Sequence, residues 1–156
     1  MKLHFLGTCA GTEPMPDRRH QSTAIETDGD LYFFDAGGGC STTAHIMGLD
    51  LLSVKKVVIS HVHMDHIGGL GNLFWNIRKL KHMKNMQTKY EAVDLYIPEM
   101  KTWDGYTKIL TNTESKFSNM KINAHQIQDG VVFSDGNMKV TAFHNRHLGT
   151  PADGVW

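Results

Sequence analysis

Hydrophobic positions switch between strand-like and helix-like spacing along this chain, and each switch marks an element. Leu3, Phe5 and Leu6 read as a first short strand, followed by a loop from Gly7 through Gln21 that contains Gly11, Pro14 and Pro16. A loop of that length is usually functional or a lid. Ser22 to Thr27 and Leu31 to Asp35 predict a hairpin around Asp28-Gly29-Asp30, because Asp-Gly supplies the positive φ of a tight turn. The second of these strands is apolar throughout, as a strand buried on both faces would be. Gly37-Gly38-Gly39 interrupts it, and Ser41 to Met47 predicts a short helix closed by Gly48. Lys55 to Ser60, rich in β-branched residues, is the next strand. Leu73, Phe74, Ile77, Leu80 and Met83 then recur at helical spacing, with Arg78, Lys79, Lys81, His82 and Lys84 between them. Val93 to Ile97 reads as a strand stopped by Pro98, and Glu99 to Leu110 as an amphipathic helix. Lys121 to Ile127, Val131 to Phe133 and Met138 to Phe143 read as strands separated by Asp129-Gly130 and Asp135-Gly136 turns. Helices are interleaved with strands and there is no repeat or low-complexity linker, so residues 1–156 are expected to form one α/β domain.

Composition narrows the field without deciding it. With 40% apolar and 21% charged residues in 156, the chain has the make-up of a globular domain with a real core, which excludes a disordered segment. Lysine plus arginine and aspartate plus glutamate are equal at 16 each, so any site for a polyanion must be a local patch. Cys9 and Cys40 lie on separate segments without metal-ribbon spacing and are expected to be reduced thiols. The opening Met1 to Gly7 is too short for a secretory apolar region, and no apolar run reaches membrane-spanning length. A cytoplasmic location and no membrane partner are the expectation.

The chemistry concentrates in His61-Val62-His63-Met64-Asp65-His66, set directly after Val57-Val58-Ile59-Ser60 and directly before Ile67-Gly68-Gly69-Leu70. Imidazole nitrogen and carboxylate oxygen suit a borderline divalent cation such as zinc, and a mixed His/Asp set without cysteine leans catalytic. If residues 61 to 63 stay extended, the side chains of His61 and His63 point the same way, because strand side chains alternate. Asp65 and His66 fall where the loop turns into a helix and are placed to serve a second ion close by. The Gly68-Gly69 pair would let that helix approach the strand ends without a Cβ collision. Ten histidines make single coincidences common, so His4, His20, His45, His82 and His125 are read as ordinary. A crowded, solvated turn is the blander account of the cluster, but four liganding types at alternating and adjacent positions after a buried strand are hard to reach by accident.

This segment resembles the His-x-His-x-Asp-His signature of metallo-β-lactamase-fold hydrolases, matched without a gap by His61, His63, Asp65 and His66. Leu6-Gly7-Thr8-Cys9-Ala10-Gly11 resembles the opening strand and loop of the ribonuclease Z-like branch, and Phe33-Phe34-Asp35-Ala36-Gly37 the family's Asp-x-Gly segment. Val140 to His147 resembles the strand that carries a further single histidine; His147 is favoured for that role, with His144 as competitor. The resemblance implies an αββα sandwich, of which this chain would supply the N-terminal two thirds. It also implies that His61, His63 and His147 hold one zinc, that Asp65 and His66 begin a second site, and that Asp35 orients a ligand imidazole. Iron or manganese is admitted by the same donors.

By the same resemblance, an aspartate bridging both metals and a last histidine belong to later strands. Asp135-Gly136 and Asp153-Gly154 are in the wrong order and too close to replace them, and Gly154-Val155-Trp156 reads as a broken-off ending. The implied function is zinc-dependent hydrolysis of phosphodiesters or related esters through a metal-bound hydroxide, with Asp65 orienting the water and taking its proton. Low or no activity is expected of these residues alone. The substrate would be a small-molecule or nucleic-acid phosphodiester. Precursor tRNA is one candidate, although Pro14-Met15-Pro16-Asp17-Arg18-Arg19 departs from the family's Pro-Thr-Lys-type loop. Arg78, Lys79, Lys81 and Lys84 could touch a phosphate backbone, but a solvated helix face explains them more simply. The alternative class is a non-catalytic metal-binding or interaction module built on the first half of the fold, and a homodimer is compatible with either reading.

Overall fold

The computed structural model describes residues 1–11, 15–83, 87–113 and 120–147. Expectations that rest on Pro14, Lys84 and the ending from Asp153 to Trp156 lie outside the described residues. Six strands, β1 (Lys2–Gly7), β2 (Ser22–Thr27), β3 (Asp30–Phe34), β4 (Val54–Val58), β5 (Ala92–Ile97) and β6 (Lys121–Gln126), form one sheet in chain order. The first three pair antiparallel, and the pairs from β3 to β6 are parallel. Strands β7 (Gly130–Ser134) and β8 (Lys139–Ala142) pair antiparallel in a separate two-stranded sheet.

Local chemistry accounts for the connections. Asp28 and Gly29 both have positive φ, 50° and 72°, as the tight turn between β2 and β3 requires. Helix α1 (Cys40–Ile46) ends at Gly48, whose φ of 77° allows its N–H and that of Leu49 to cap the carbonyls of His45 and Ala44. A short helix α2 (Met64–Ile67) precedes α3 (Leu70–Met83), and α4 (Met100–Thr113) links β5 to β6. Among the described residues no helix is long and apolar enough to cross a membrane.

The two faces of the sheet carry different covers. Leu31, Phe33, Val57, Ile59, Leu95 and Ile97 point to one side, where Cys40 and Ala44 of α1, Leu70, Leu73, Phe74 and Ile77 of α3 and Leu110 of α4 close the main core. Tyr32 and Val58, one residue out of phase, point to the other side and meet Phe133 of the β7–β8 hairpin. The central strand β3 is therefore buried on both faces, as its unbroken apolar run predicts. Arg78 departs from the solvated-face expectation: it is buried at 6% exposure beside the core positions of α3, so it is not part of an open basic surface.

A buried charge network fastens the hairpin to the sheet. Asp30, at the start of β3, receives hydrogen bonds from Lys89 and Tyr90, from Lys55 Nζ at 3.0 Å and from Asn137 Nδ2 at 2.9 Å. Asp135, in the β7–β8 turn, receives Tyr32 Oη at 3.0 Å and pairs with Lys55 at 3.2 Å. Burial by itself would raise the Asp30 carboxyl, but the donors on Lys89, Tyr90 and Lys55 outweigh it and hold the group far below the usual carboxylate range. Because the folded state depresses this pKa, its stabilisation is in force above the unfolded value near ~4 and is lost as pH falls below it. Asp30→Asn should therefore cost roughly 2–4 kcal/mol at pH 7 in urea unfolding, leaving Lys55 with Asp135 as its remaining carboxylate partner. The same variant should lose less stability than the parent between pH 5 and pH 3; parallel curves would show that Asp30 is not the group responsible.

Candidate functional site

The site forms where β3 and β4 end side by side. The β4 ladder stops at Val58, and Ile59 N–H donates to Tyr96 O at 2.8 Å as the chain leaves the sheet. His61 and His63 thus lie beyond the strand proper, yet their side chains still converge, with His61 Nε2 at 3.2 Å from His63 Nδ1. His63 keeps extended backbone, φ −65° and ψ 145°, immediately before α2 begins. Asp65 and His66 belong to the single turn of α2, as the loop-to-helix reading expects.

Asp35 organises the cluster from the end of β3. It has a positive φ of 60°, a conformation that aspartate tolerates better than most residues. Its N–H donates to Val58 O at 2.8 Å, and its carbonyl accepts Ser22 Oγ at 2.8 Å. The carboxylate then accepts Ser60 N–H at 2.7 Å on one oxygen and Ser60 Oγ at 3.0 Å on the other, and the second oxygen also lies 2.7 Å from His66 Nδ1.

With the His66 proton on the nitrogen that faces Asp35, Nε2 presents a lone pair toward Asp65 Oδ2, 3.3 Å away. Two electron-rich atoms at that distance are reconciled by a proton or a cation between them, so this pair has the chemistry of half a metal site. The other half is a trio: ligand atoms of His61, His63 and His147 lie within 4.8 Å of one another. Rings of His61 and His147 meet edge-on at 4.9 Å, and those of His63 and His147 at 5.1 Å. His61 and His66 bring the two halves together with ring centroids 3.9 Å apart. Burial, followed by the neighbouring His66 and His63, pushes the His61 pKa below its ordinary value and favours the neutral ring that a metal requires. His144 does not join the trio; its N–H is taken by Asp129 Oδ1, and it lies on the wall of a neighbouring cavity.

Glycines set how closely these segments meet. A Cβ on Gly69 would lie 2.2 Å from Gly37 O, and Gly69 N–H donates to Ala36 O at 2.7 Å, so the approach expected of the Gly68-Gly69 pair is made by Gly69 against the β3 end. A Cβ on Gly11 would sit 2.8 Å from Asp65 Oδ1, which places the loop after β1 against this carboxylate.

Residues 1–153 match the family described as the anti-Pycsar protein Apyc1. The chain belongs to that family. It is also 30% identical to ribonuclease Z of Pyrococcus abyssi over 154 residues, which cover 99% of this chain and 47% of that protein. With ribonuclease Z of Methanococcus aeolicus it shares 33% over 129 residues, 81% of this chain and 36% of that one. Among solved structures it is similar to the short form of human tRNase Z, with a TM-score of 0.64 at 26% identity, covering 81% of this chain and 44% of that chain. The metallo-β-lactamase-fold protein YhfI of Bacillus subtilis superposes with a TM-score of 0.59 at 15% identity, over 85% and 49% of the two chains. The expected fold family is thus established. The chain spans about half the length of the curated relatives it matches.

The Asp30 network escaped sequence reading, because its members come together from positions up to about a hundred residues apart. The available signal was Lys55 and Lys56 inside an otherwise apolar strand, since buried charges must be paired. The Gly69 approach makes a sharper forecast. Gly69→Ala should destabilise the chain by about 2 kcal/mol or more in chemical unfolding, as a methyl group is forced against backbone that cannot rotate away. Unchanged stability would mean that α2 and the β3 end can separate freely.

Proposed function

We propose that this chain carries the metal-holding part of a zinc-dependent phosphodiester hydrolase. His61, His63 and His147 would hold one ion, and Asp65 and His66 would begin the site for a second. The observation that carries the reading is the meeting of three imidazoles from two distant segments within 4.8 Å, beside a His66–Asp65 pair already oriented by Asp35. All-nitrogen and mixed oxygen donors without thiolate fit zinc, and also admit iron or manganese. When bound, a divalent ion here would acidify water and polarise a phosphoryl oxygen.

The remaining work falls to the chain. Asp65 would orient the attacking water and accept its proton, being the carboxylate that faces His66 beside the trio. Asp35 fixes the His66 ring, so that its free nitrogen stays aimed at the reacting region. Ser60 donates to Asp35 and contacts His61 Nδ1 at 3.0 Å, linking the two halves of the site. Phosphodiester chemistry is supported by the names of the ribonuclease Z relatives and of the tRNase Z structure, both RNA-cleaving enzymes. The family description, anti-Pycsar, names an opposing role and no substrate.

The competing module reading draws on the coverage: with 47% of the Pyrococcus relative matched, these residues could bind an ion without completing a catalytic site. Zinc titration against a competing chelator separates the candidate ligands. One tight zinc per chain is expected, weakened at least tenfold in His61→Ala, His63→Ala and His147→Ala and unaffected in His144→Ala. Hydrolysis of bis(p-nitrophenyl) phosphate by the 156-residue chain should be low and should fall a further hundredfold or more in Asp65→Asn. If His147→Ala binds zinc as the parent does, the three-imidazole assignment is wrong. Zinc binding with no Asp65-dependent turnover would favour the module.

A further inference from the structure

The Ser60 hydroxyl stands between the two halves of the site, and its one proton can serve only one neighbour. Oγ lies 3.0 Å from Asp35 Oδ2, 3.0 Å from His61 Nδ1 and 3.4 Å from His66 Nδ1. A carboxylate oxygen accepts and does not donate, so the contact with Asp35 is made with Ser60 as donor. Only lone pairs are then left on Oγ for the rings. His66 Nδ1 turns its proton to Asp35 Oδ2, the nearer acceptor at 2.7 Å. His61 Nδ1 has one way to meet the oxygen beside it, which is to donate to it.

Reversing that bond is unfavourable. If Ser60 donated to His61 instead, Oγ would face Asp35 Oδ2 at 3.0 Å with lone pairs on both atoms and no proton between them. Ser60 is also not free to move aside, because its backbone N–H is held by the other oxygen of the same carboxylate, Asp35 Oδ1, at 2.7 Å. Backbone and side chain of one residue thus grip the two oxygens of Asp35. The direction of every proton in the chain from Asp35 through Ser60 to His61 follows from that grip.

Deepening the zinc reading above, on which only its last step rests, we infer that Ser60 is a positioning residue that fixes the tautomer of His61. With the His61 proton held on Nδ1, the bare nitrogen is Nε2, the atom that lies 3.2 Å from His63 Nδ1 inside the imidazole trio. Asp35 therefore sets the rings of both halves, His66 by direct contact and His61 through the Ser60 hydroxyl. The last step is that a lone pair aimed in advance strengthens zinc binding, since the ion needs no change of tautomer at this ring.

Long-range ¹H–¹⁵N NMR of the zinc-free, ¹⁵N-labelled 156-residue chain, at about pH 8 where ordinary imidazoles are neutral, reads the tautomer of each ring directly. In the parent, His61 should carry its proton on Nδ1. Ser60→Ala removes the acceptor, so His61 should pass to a mixture of tautomers while His66, which donates to Asp35 itself, keeps its own. Ser60→Thr retains the hydroxyl and should restore the parent pattern. In chelator competition, Ser60→Ala should weaken zinc about tenfold and Ser60→Thr should recover it. A parent His61 protonated on Nε2, or an unchanged His61 tautomer in Ser60→Ala, overturns the inference. So does an equal change at His61 and His66, which would mark a general loosening of the site. A parent with the Nδ1-protonated His61 that binds no zinc would strike the zinc assignment and leave the role of Ser60 standing.

Discussion

One carboxylate at the end of a central strand sets the geometry of the whole site. Asp35 leaves β3 with a left-handed backbone turn, and that turn aims its side chain across the neighbouring strand end instead of along its own. Its two oxygens engage the Ser60 backbone, the Ser60 hydroxyl and the His66 ring, so three segments share a single reference point. The conformation carries a cost of order 1 kcal/mol for a residue with a side chain, offset here by several charge-assisted hydrogen bonds. Glycine would remove the backbone cost and the reference point together.

The site needs a second delivery, and it comes from the opposite face of the sheet. His147 reaches His61 and His63 only because the β7–β8 hairpin sits over Tyr32 and Val58. Phe133 stacks on Tyr32 with ring centroids 6.2 Å apart, and Lys56 lies over the Phe133 ring while pairing with Asp94 at 2.7 Å. The far turn of the hairpin is tied down by Asp135 and Asn137 in the Asp30 network. Strands of four and five residues span roughly 15 Å, so an anchor at the turn controls the angle at which the other end meets the site. Stability at one end of the hairpin and placement of the His147 ring at the other are thus one mechanical problem.

What could be read from the sequence follows from how local each cause is. The unbroken apolar run of Leu31 to Phe34, the Asp28-Gly29 turn and the helical spacing of Leu73, Phe74, Ile77 and Leu80 are short-range signals, and each marks an element that is present. The convergence of His61 and His63 also holds, though not inside a strand, because extended backbone preserves the alternation after the ladder has ended. The choice between His144 and His147 is not local: both follow the same strand, and only the folded chain brings the His147 ring against His61 and His63. Burial of Arg78 was likewise invisible, since helical spacing places it on a polar flank and only the packing of α3 shows it covered.

The two carboxylate clusters differ in how their charge is balanced. Asp30 and Asp135 are surrounded by Lys55, Lys89, Tyr90 and Asn137, whose donors meet both carboxylates and whose two ammonium groups balance the charge within the chain. A metal there would have to displace cations already in place. Asp35 and Asp65 have no such balance: among the described residues their ion-pair partner is the His66 imidazole. Burial, followed by the neighbouring His66 and His63, pushes the His61 pKa below its ordinary value. Two carboxylates, a His61 ring biased toward its neutral form and a backbone held by Asp35 leave a region rich in donor atoms.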